Sequence, residues 1–554
     1  MMLRGSEGVI LKFSGRRNAL MQDLPWWQSA VIYEIYPRSF QDTDGDGVGD
    51  LRGIIARLPY LGDLGVDAIW ICPIFCSPMA DFGYDIANYN DIDPLFGTLG
   101  DFDELLAAAH RHQIKVLLDL VPNHTSDQHP WFLQSRSSRD NPRRDWYLWH
   151  DPGPDGAAPN NWLSEFGGSA WQDDARTGQY YYHAFLAQQP DLNWRNTEVR
   201  AAIYEVMRFW LRRGVDGFRV DVLWHLIKDD QFRDNPPNPQ FAPGKPPHQA
   251  VIPLYTTDRP EMEQIIAEMR AVVDEFPERL LIGEIYLPIE RLVAYYGRNL
   301  EGAHLPFNFT LLSVAWNART IATLIDQYEA ALPRDGWPNW VLDNHDQPRI
   351  ASRLGRQQAR LAAILLLTLR GTPTIYYGEE LGMAQVQIPP DRIRDPFAKN
   401  VPGLNVGRDG CRTPMQWDAT ANAGFSLVHP WLPLADDHQN ENAELQRREK
   451  TSLLNLYRRL IGLRRSRAAL VRGAYHPLHA TGDLLLYLRE HSDERLLIAL
   501  NLGGEPLAAK IGAQIAGKVL LSSGADREDE EVRGEIDLRP NEGLIVEVVR
   551  EAEL

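Results

Sequence analysis

Five short stretches place polar or acidic residues where an apolar run stops: DLVPNHTS (119–126), GFRVDV (217–222), GEIY (283–286), DNHDQPR (343–349) and YYGEE (376–380). Carboxylates brought by separate buried strands to one rim make an active site. In GFRVDV, Arg219 stands two residues before Asp221, on the same face of an alternating strand. A neighbouring cation favours the ionised acid, which leaves Asp221 as a carboxylate able to attack. A sixth stretch, DTDGDGVGD (42–50), has oxygen-bearing side chains at Asp42, Asp44, Asp46 and Asp50, glycines that permit the turns, and the Val48 carbonyl between them. That is calcium chemistry, a set of hard oxygen donors, with Mg²⁺ as the alternative. It resembles the start of an EF-hand loop but has no Glu at the twelfth position.

The elements that must hold these residues are legible as eight compact apolar runs: VIYEIY (31–36), VDAIWI (66–71), IKVLLDLV (114–121), VDGFRVD (215–221), RLLIGEI (279–285), HLPFNF (304–309), WVLD (340–343) and TPTIYYG (372–378). Between them lie helical patterns at 101–112, 197–214, 259–276 and 357–370. Leu105, Ala108 and His112 in the first, and Ile203, Val206, Met207 and Trp210 in the second, each form an apolar face. Alternating strand and helix units predict an α/β fold that closes as a (β/α)8 TIM barrel, with its chemistry on the loops after the strands. Residues 123–195, rich in Gly, Pro, Asn and Trp, interrupt the rhythm and read as a lobe inserted after strand 3. Residues 379–435 read as a loop-rich flap after strand 8, followed by a helix at 451–466. From 474 to 554 short alternating runs and turn signals predict a C-terminal antiparallel β domain. The barrel is thus expected from 24–122 and 196–473, after an N-terminal extension of residues 1–23. The acidic run DREDEEVRGE (526–535) is expected to be a solvated loop.

Composition excludes several function classes. With 57 Lys plus Arg against 75 Asp plus Glu the net charge is −18, which argues against nucleic acid or an anionic membrane and suits a neutral substrate. Cys72, Cys76 and Cys411 form no metal-ligand pattern and read as buried free thiols, with a Cys72–Cys76 disulfide conceivable. The longest apolar helix pattern, ARLAAILLLTLRG (359–371), is too short to span a bilayer. No secretory signal is evident, so a cytoplasmic protein is expected. Met21 is a candidate natural start, because organised sequence begins at LPWWQSAVIYEIYPRSF.

Taken in order, these motifs resemble those of glycoside hydrolase family 13, in the α-glucosidase branch that contains oligo-1,6-glucosidases. The resemblance runs from about residue 24 to the C-terminus and implies a barrel with an inserted lobe and a C-terminal β-sandwich. It implies Asp221 as nucleophile, Glu284 as proton donor with a raised pKa, and Asp346 as the third essential carboxylate. His124 and His345 would bind sugar hydroxyls. Asp81 and Tyr84, from DFGYD, would form the far wall of a glucose pocket, with Arg412 of GCRTPMQW pairing with Asp81 to seal it. Phe166, Phe185 and Gln189 would lie at the pocket mouth. A structural Ca²⁺ is implied in the 42–50 loop, and no organic cofactor. QPDLN (189–193) and Val222, directly after the nucleophile, are associated in this branch with acceptance of α-1,6 linkages. An exo-acting retaining α-glucosidase on short oligosaccharides is expected, as a monomer or homo-oligomer. A transglucosidase or a sucrose isomerase or trehalose synthase on the same scaffold is the alternative. A non-catalytic transporter accessory subunit is the distant one, disfavoured because all three carboxylates are present.

Overall fold

A computed structural model describes residues 24–550 of the chain; the extension at 1–23, with Met21, the candidate start, lies outside them. Eight strands are completely or almost completely buried, which is why they read as continuous apolar runs rather than alternating ones: β1 Ile32–Ile35, β2 Ala68–Ile71, β3 Lys115–Leu120, β4 Gly217–Val220, β5 Leu280–Gly283, β6 Leu305–Pro306, β7 Asn339–Val341 and β8 Thr372–Tyr376. They pair in parallel in the order β6-β5-β4-β3-β2-β1-β8-β7. Among the described residues β6 and β7 share no ladder. β6 has two residues, and Pro306 has no N–H to give. At the start of β4, Gly217 takes φ +152°, and a Cβ there would stand 2.1 Å from the Leu280 carbonyl oxygen, so a side chain would push β5 away.

The crossover helices begin and end where their caps allow. Thr98 and Asp101 form a reciprocal capping box, which starts the helix Leu99–Arg111 two residues before the apolar pattern does. Leu105 and Ala108 face its core side, but His112 is an exposed cap and not part of the apolar stripe. Asn196 caps Thr197–Arg213, which ends on the left-handed Gly214.

The stretch 123–195 carries a three-stranded sheet, Trp149–His150, Gln179–Tyr182 and Trp171–Asp174, over a small core of Trp162, Trp171 and Tyr182. At the C-terminal end, β9 Ala474–Thr481, β10 Leu484–His491, β11 Glu494–Asn501, β12 Leu507–Ser522, β13 Glu531–Leu538 and β14 Gly543–Arg550 form an antiparallel sheet, order β9-β10-β11-β14-β12-β13. Its two faces follow the period of two. Leu485, Tyr487, Leu496 and Ile498 join the barrel core, while Leu486, Leu497, Ala499 and Val546 join a second cluster.

The apolar segment at 359–371 has its use here. Helix Arg356–Thr368 is buried along most of its length, and its Ile364 and Leu361 reach Gly543 of β14. Among the described residues no helix is long and apolar enough to cross a membrane. The acidic run at 526–535 is more than a solvated loop. Asp526 and Glu530 pair with Arg539 and Arg527, and Glu528 meets Arg459 of helix Leu453–Ser466 at 2.8 Å, a tie from the terminal sheet to the barrel's helical layer. The three thiols are free, and Cys76 is half-exposed rather than buried.

Candidate active site

The register of the barrel brings the first two acids together. β4 pairs Val220 with Gly283 of β5, so the next residues on the two strands, Asp221 and Glu284, leave the rim side by side. Neighbouring strands run about 4.8 Å apart. Both backbones are pinned: the Asp221 N–H donates to Leu120 O at 2.8 Å and the Glu284 N–H to Val220 O at 3.0 Å. The same register sets Arg219 beside Asp119 of β3. Its Nη1 donates to Asp119 Oδ1 at 2.9 Å and to Asp221 Oδ1 at 2.7 Å, and its Nη2 stands 2.7 Å from Glu284 Oε2.

One guanidinium therefore serves three buried acids. Burial first, then the Glu284 carboxylate, raises the Asp221 carboxyl well above the ordinary range, with Arg219 opposing. Arg219 favours the Asp221 carboxylate by its charge and its hydrogen bond, as the RxD spacing suggested, against burial and the Glu284 charge. Burial also raises Glu284, against Arg219 and against the Val222 N–H, which donates to Glu284 Oε2 at 2.9 Å. Val222 makes that bond from a left-handed backbone, φ +36°, an unusual conformation for a β-branched residue and one that stores about 1–3 kcal/mol of strain.

Asp346 follows β7 and enters from the other side. Burial alone would raise it, but the His345 ring at 3.3 Å and the guanidiniums of Arg408 and Arg412 at 3.3 and 2.6 Å hold it well below the usual carboxylate range. Here the predicted pairing of Arg412 with Asp81 is wrong. Arg412 donates to Asp346 Oδ1 and to the His345 carbonyl, while Arg408, four residues earlier, reaches Asp81 Oδ1 at 2.6 Å and Asp395 Oδ1 at 2.8 Å. The short helical turn Asp409–Cys411 separates the two arginines and aims them at different acids.

These groups border a cavity of about 690 Å³. Asp81, Tyr84, His124, Phe166, Phe185, Gln189, Asp221, Glu284 and Asp346 line it; Arg219, His345 and Arg412 do not, and act from behind the wall. The Tyr84 ring stacks on His345 with centroids 5.5 Å apart, its hydroxyl 2.7 Å from His345 Nε2. Burial lowers His124 to about 4, so its ring is neutral, with Nε2 near the Tyr84 carbonyl and the Gln189 amide. Gln189 Nε2 reaches Asp81 Oδ2 at 3.4 Å. From the lobe, Phe185 stands against His124, and Phe166 stacks on Phe397 of the 379–435 segment, under the Arg408 guanidinium.

A catalytic-domain family described as "Alpha amylase, catalytic domain" matches residues 34–473. The chain belongs to the α-amylase family, glycoside hydrolase family 13. It is 45% identical over 502 residues to a probable α-glucosidase of Rhizobium meliloti, covering 88% of this chain and 91% of that one. It is 37% identical to an oligo-1,6-glucosidase of Parageobacillus thermoglucosidasius, covering 94% and 99%. Among solved structures, the α-glucosyl transfer enzyme XgtA superposes with a TM-score of 0.89 at 40% identity, covering 95% of this chain and all of that one. The protein is thus a glycoside hydrolase of the α-glucosidase branch.

In this family member the YYGEE acids do not join the site. A short turn at Glu379–Leu381 sends them into the helical layer, where Glu380 accepts from Tyr33 and Tyr60, and Glu379 from Tyr457. Sequence reasoning missed Glu34, Asp395 and Arg408. Glu34 could have been found as the one charge inside VIYEIY, and Arg408 as the first arginine of GRDGCR. Arg408→Ala would leave Asp81 and Asp395 buried without their shared cation, and the expected destabilisation is about 3–5 kcal/mol in denaturant unfolding. Arg408→Lys should recover part of it.

The 42–50 loop lies apart from this chemistry. Single carboxylate oxygens of Asp42, Asp44 and Asp50 approach within 4.8 Å of one another, an all-oxygen set that fits a hard cation. Asp46 stands outside that group and accepts the Val48 N–H at 2.7 Å. The loop is tied to the flap: Asp42 N–H donates to Phe425 O and Trp431 N–H to Gly47 O, while Trp431 Nε1 reaches Ser39, next in chain to the barrel's first turn.

Proposed function

We propose that the protein is a retaining exo-α-glucosidase that removes single glucosyl units from short neutral α-glucosides and transfers some of them to sugar acceptors. The observation that carries this reading is the side-by-side exit of Asp221 and Glu284 from adjacent strands under one guanidinium. Retention needs two carboxyl groups about 5–5.5 Å apart, the scale of the strand spacing. Asp221 accepts from Arg219 Nη1 at 2.7 Å, which favours placing the negative charge there, and the reaction then needs the proton on Glu284.

The Asp221 carboxylate attacks the anomeric carbon as Glu284 gives its proton to the departing glycosidic oxygen, so one C–O bond forms as the other breaks. Glu284, now a carboxylate, takes a proton from water, and that oxygen displaces Asp221. Asp346, held ionised by Arg408 and Arg412, supports the positive charge developing on the ring. The tie of Arg408 to Asp81 and Asp395 supports a closed end and hence exo action. Arg408 is the sole lysine or arginine among the lining residues, against Asp81, Glu165, Asp221, Glu284 and Asp346, which favours uncharged substrates over phosphorylated ones.

Incubation with maltose, isomaltose, sucrose and trehalose, with separation of the products, tests the reading. Glucose from isomaltose, first released as the α anomer, is expected; β-glucose or internal cleavage overturns it. Val222 lines the cavity directly after the nucleophile. Val222→Thr should shift the ratio of kcat/KM for isomaltose over maltose toward maltose by about tenfold, the scale of a one-group change in a pocket.

For the 42–50 loop we propose a stabilising Ca²⁺, held by Asp42, Asp44 and Asp50, with Asp46 and the Val48 carbonyl as further donors. Bound, it neutralises the clustered carboxylates. Chelation is expected to lower the unfolding temperature by several degrees, restored by Ca²⁺ and less by Mg²⁺, with no change in the slope of the pH–rate profile.

A further inference from the structure

Glu34 lies midway along β1, fully buried, with no place in the reaction described above. Its Oε1 is 2.6 Å from His345 Nδ1 and accepts a long contact from the Cys72 thiol at 3.7 Å. Its Oε2 has no hydrogen-bond partner. On its other side, His345 Nε2 is 2.7 Å from the Tyr84 hydroxyl and 3.3 Å from Asp346 Oδ2. The Tyr84 hydroxyl is also 3.0 Å from Asp119 Oδ2.

The hydrogens along this line can be counted. Asp119 takes Arg219 Nη1 on Oδ1 and Trp70 Nε1 on Oδ2, the environment of a carboxylate, which can only accept. Tyr84 has one proton. If it goes to Asp119, the hydroxyl must accept from His345, so the ring carries its proton on Nε2 and Nδ1 is a bare acceptor. Two groups face Nδ1, the Cys72 thiol at 3.7 Å and Glu34 at 2.6 Å; the short contact is the one that needs a donor, and Glu34 donates only as the un-ionised acid. The orphan Oε2 agrees. A buried carboxylate with one oxygen unpartnered is far more costly than a neutral acid whose spare carbonyl oxygen is unpartnered. The charges within reach, Asp119 and Asp346 on one side and Arg219 on the other, together with burial, leave Glu34 raised well above the ordinary carboxyl range. Burial likewise keeps His345 neutral.

We propose that Glu34 is a positioning residue for the glycosidase reaction: un-ionised, it donates to His345 Nδ1 and so fixes the tautomer whose Nε2–H points to Tyr84 and Asp346, two groups that line the sugar cavity. The donors then run in one direction from Glu34 through His345 and Tyr84 to Asp119, which Arg219 meets from the other side while also donating to Asp221. The loss of rate predicted below rests on the glucosidase reading; the tautomer does not.

The test is nitrogen NMR on enzyme carrying ¹⁵N-labelled histidine, with the His345 signals identified as those absent from His345→Asn. At neutral pH the wild type is expected to show a protonated Nε2 and a bare Nδ1. Glu34→Gln, whose amide N–H replaces the acid O–H, should keep this pattern and a kcat on an aryl α-glucoside within about threefold, the scale of exchanging one hydrogen bond for another. Glu34→Met, with no donor, should show mixed tautomers and a kcat about 100-fold lower, the scale of a misaligned active-site group. A wild-type ring protonated on Nδ1 overturns the proposal, as does Glu34→Met with an unchanged kcat. Should the Met variant not fold, the wild-type tautomer and the Gln variant decide between the two outcomes.

Discussion

Asp221→Asn is expected to lose hydrolysis of an aryl α-glucoside by on the order of 10⁵–10⁶-fold, because the amide cannot form the bond to the anomeric carbon on which both half-reactions depend. The same change is expected to raise the unfolding temperature. The folded carboxyl is raised above its unfolded value by burial and by Glu284. A raised acid binds its proton more tightly in the folded state, so its ionisation opposes folding at neutral pH, and a neutral isostere removes that opposition. The stabilisation should shrink as the pH falls from the raised folded value toward the unfolded carboxyl range, and vanish below it. Opposite signs for activity and stability separate a site acid from a structural one. Substitution at Asp216, paired with His110 and Lys115 at the other end of the barrel, should lower stability and leave the chemistry intact. Retained activity in Asp221→Asn, in a preparation free of Asp221 reversion, would remove the basis of the proposed mechanism.

The eight strands were legible because a parallel barrel strand is buried on both faces and has no reason to alternate. The acids were legible because Asp221 and Glu284 stand one residue beyond apolar runs. What sequence could not supply was which arginine meets which acid. Arg408 and Arg412 are four residues apart in a segment with no long helix or strand, and their targets are set by a single short turn. Nor could it separate Glu379 and Glu380 from the site acids, since the same strand-end position can point into the cavity or back into the helical layer. Local spacing likewise gave Asp221 one cation to itself. The fold gives Arg219 three carboxylates from three neighbouring strands, a sharing invisible in RxD.

Glu284→Gln separates the proton donor from the nucleophile. Departure of a sugar alkoxide needs a proton, so kcat/KM on isomaltose should fall by on the order of 10³–10⁴-fold, the upper range for a general acid. A nitrophenolate or fluoride leaves without one, so glucosylation by such substrates should fall by about tenfold or less, while the glucosyl-enzyme, deprived of its base, should accumulate and appear as a burst. The pH profile supplies the second signature. Wild-type activity requires Asp221 ionised and Glu284 protonated, so its acid limb follows Asp221 and its alkaline limb follows loss of the Glu284 proton. In the Gln variant the alkaline limb should vanish. The acid limb should stay close to its wild-type position, because wild-type Asp221 already ionises beside a protonated, uncharged Glu284, which the amide mimics, and Arg219 remains 2.7 Å away. Equal losses on activated and unactivated glucosides, with the alkaline limb still present, would assign the proton to another group.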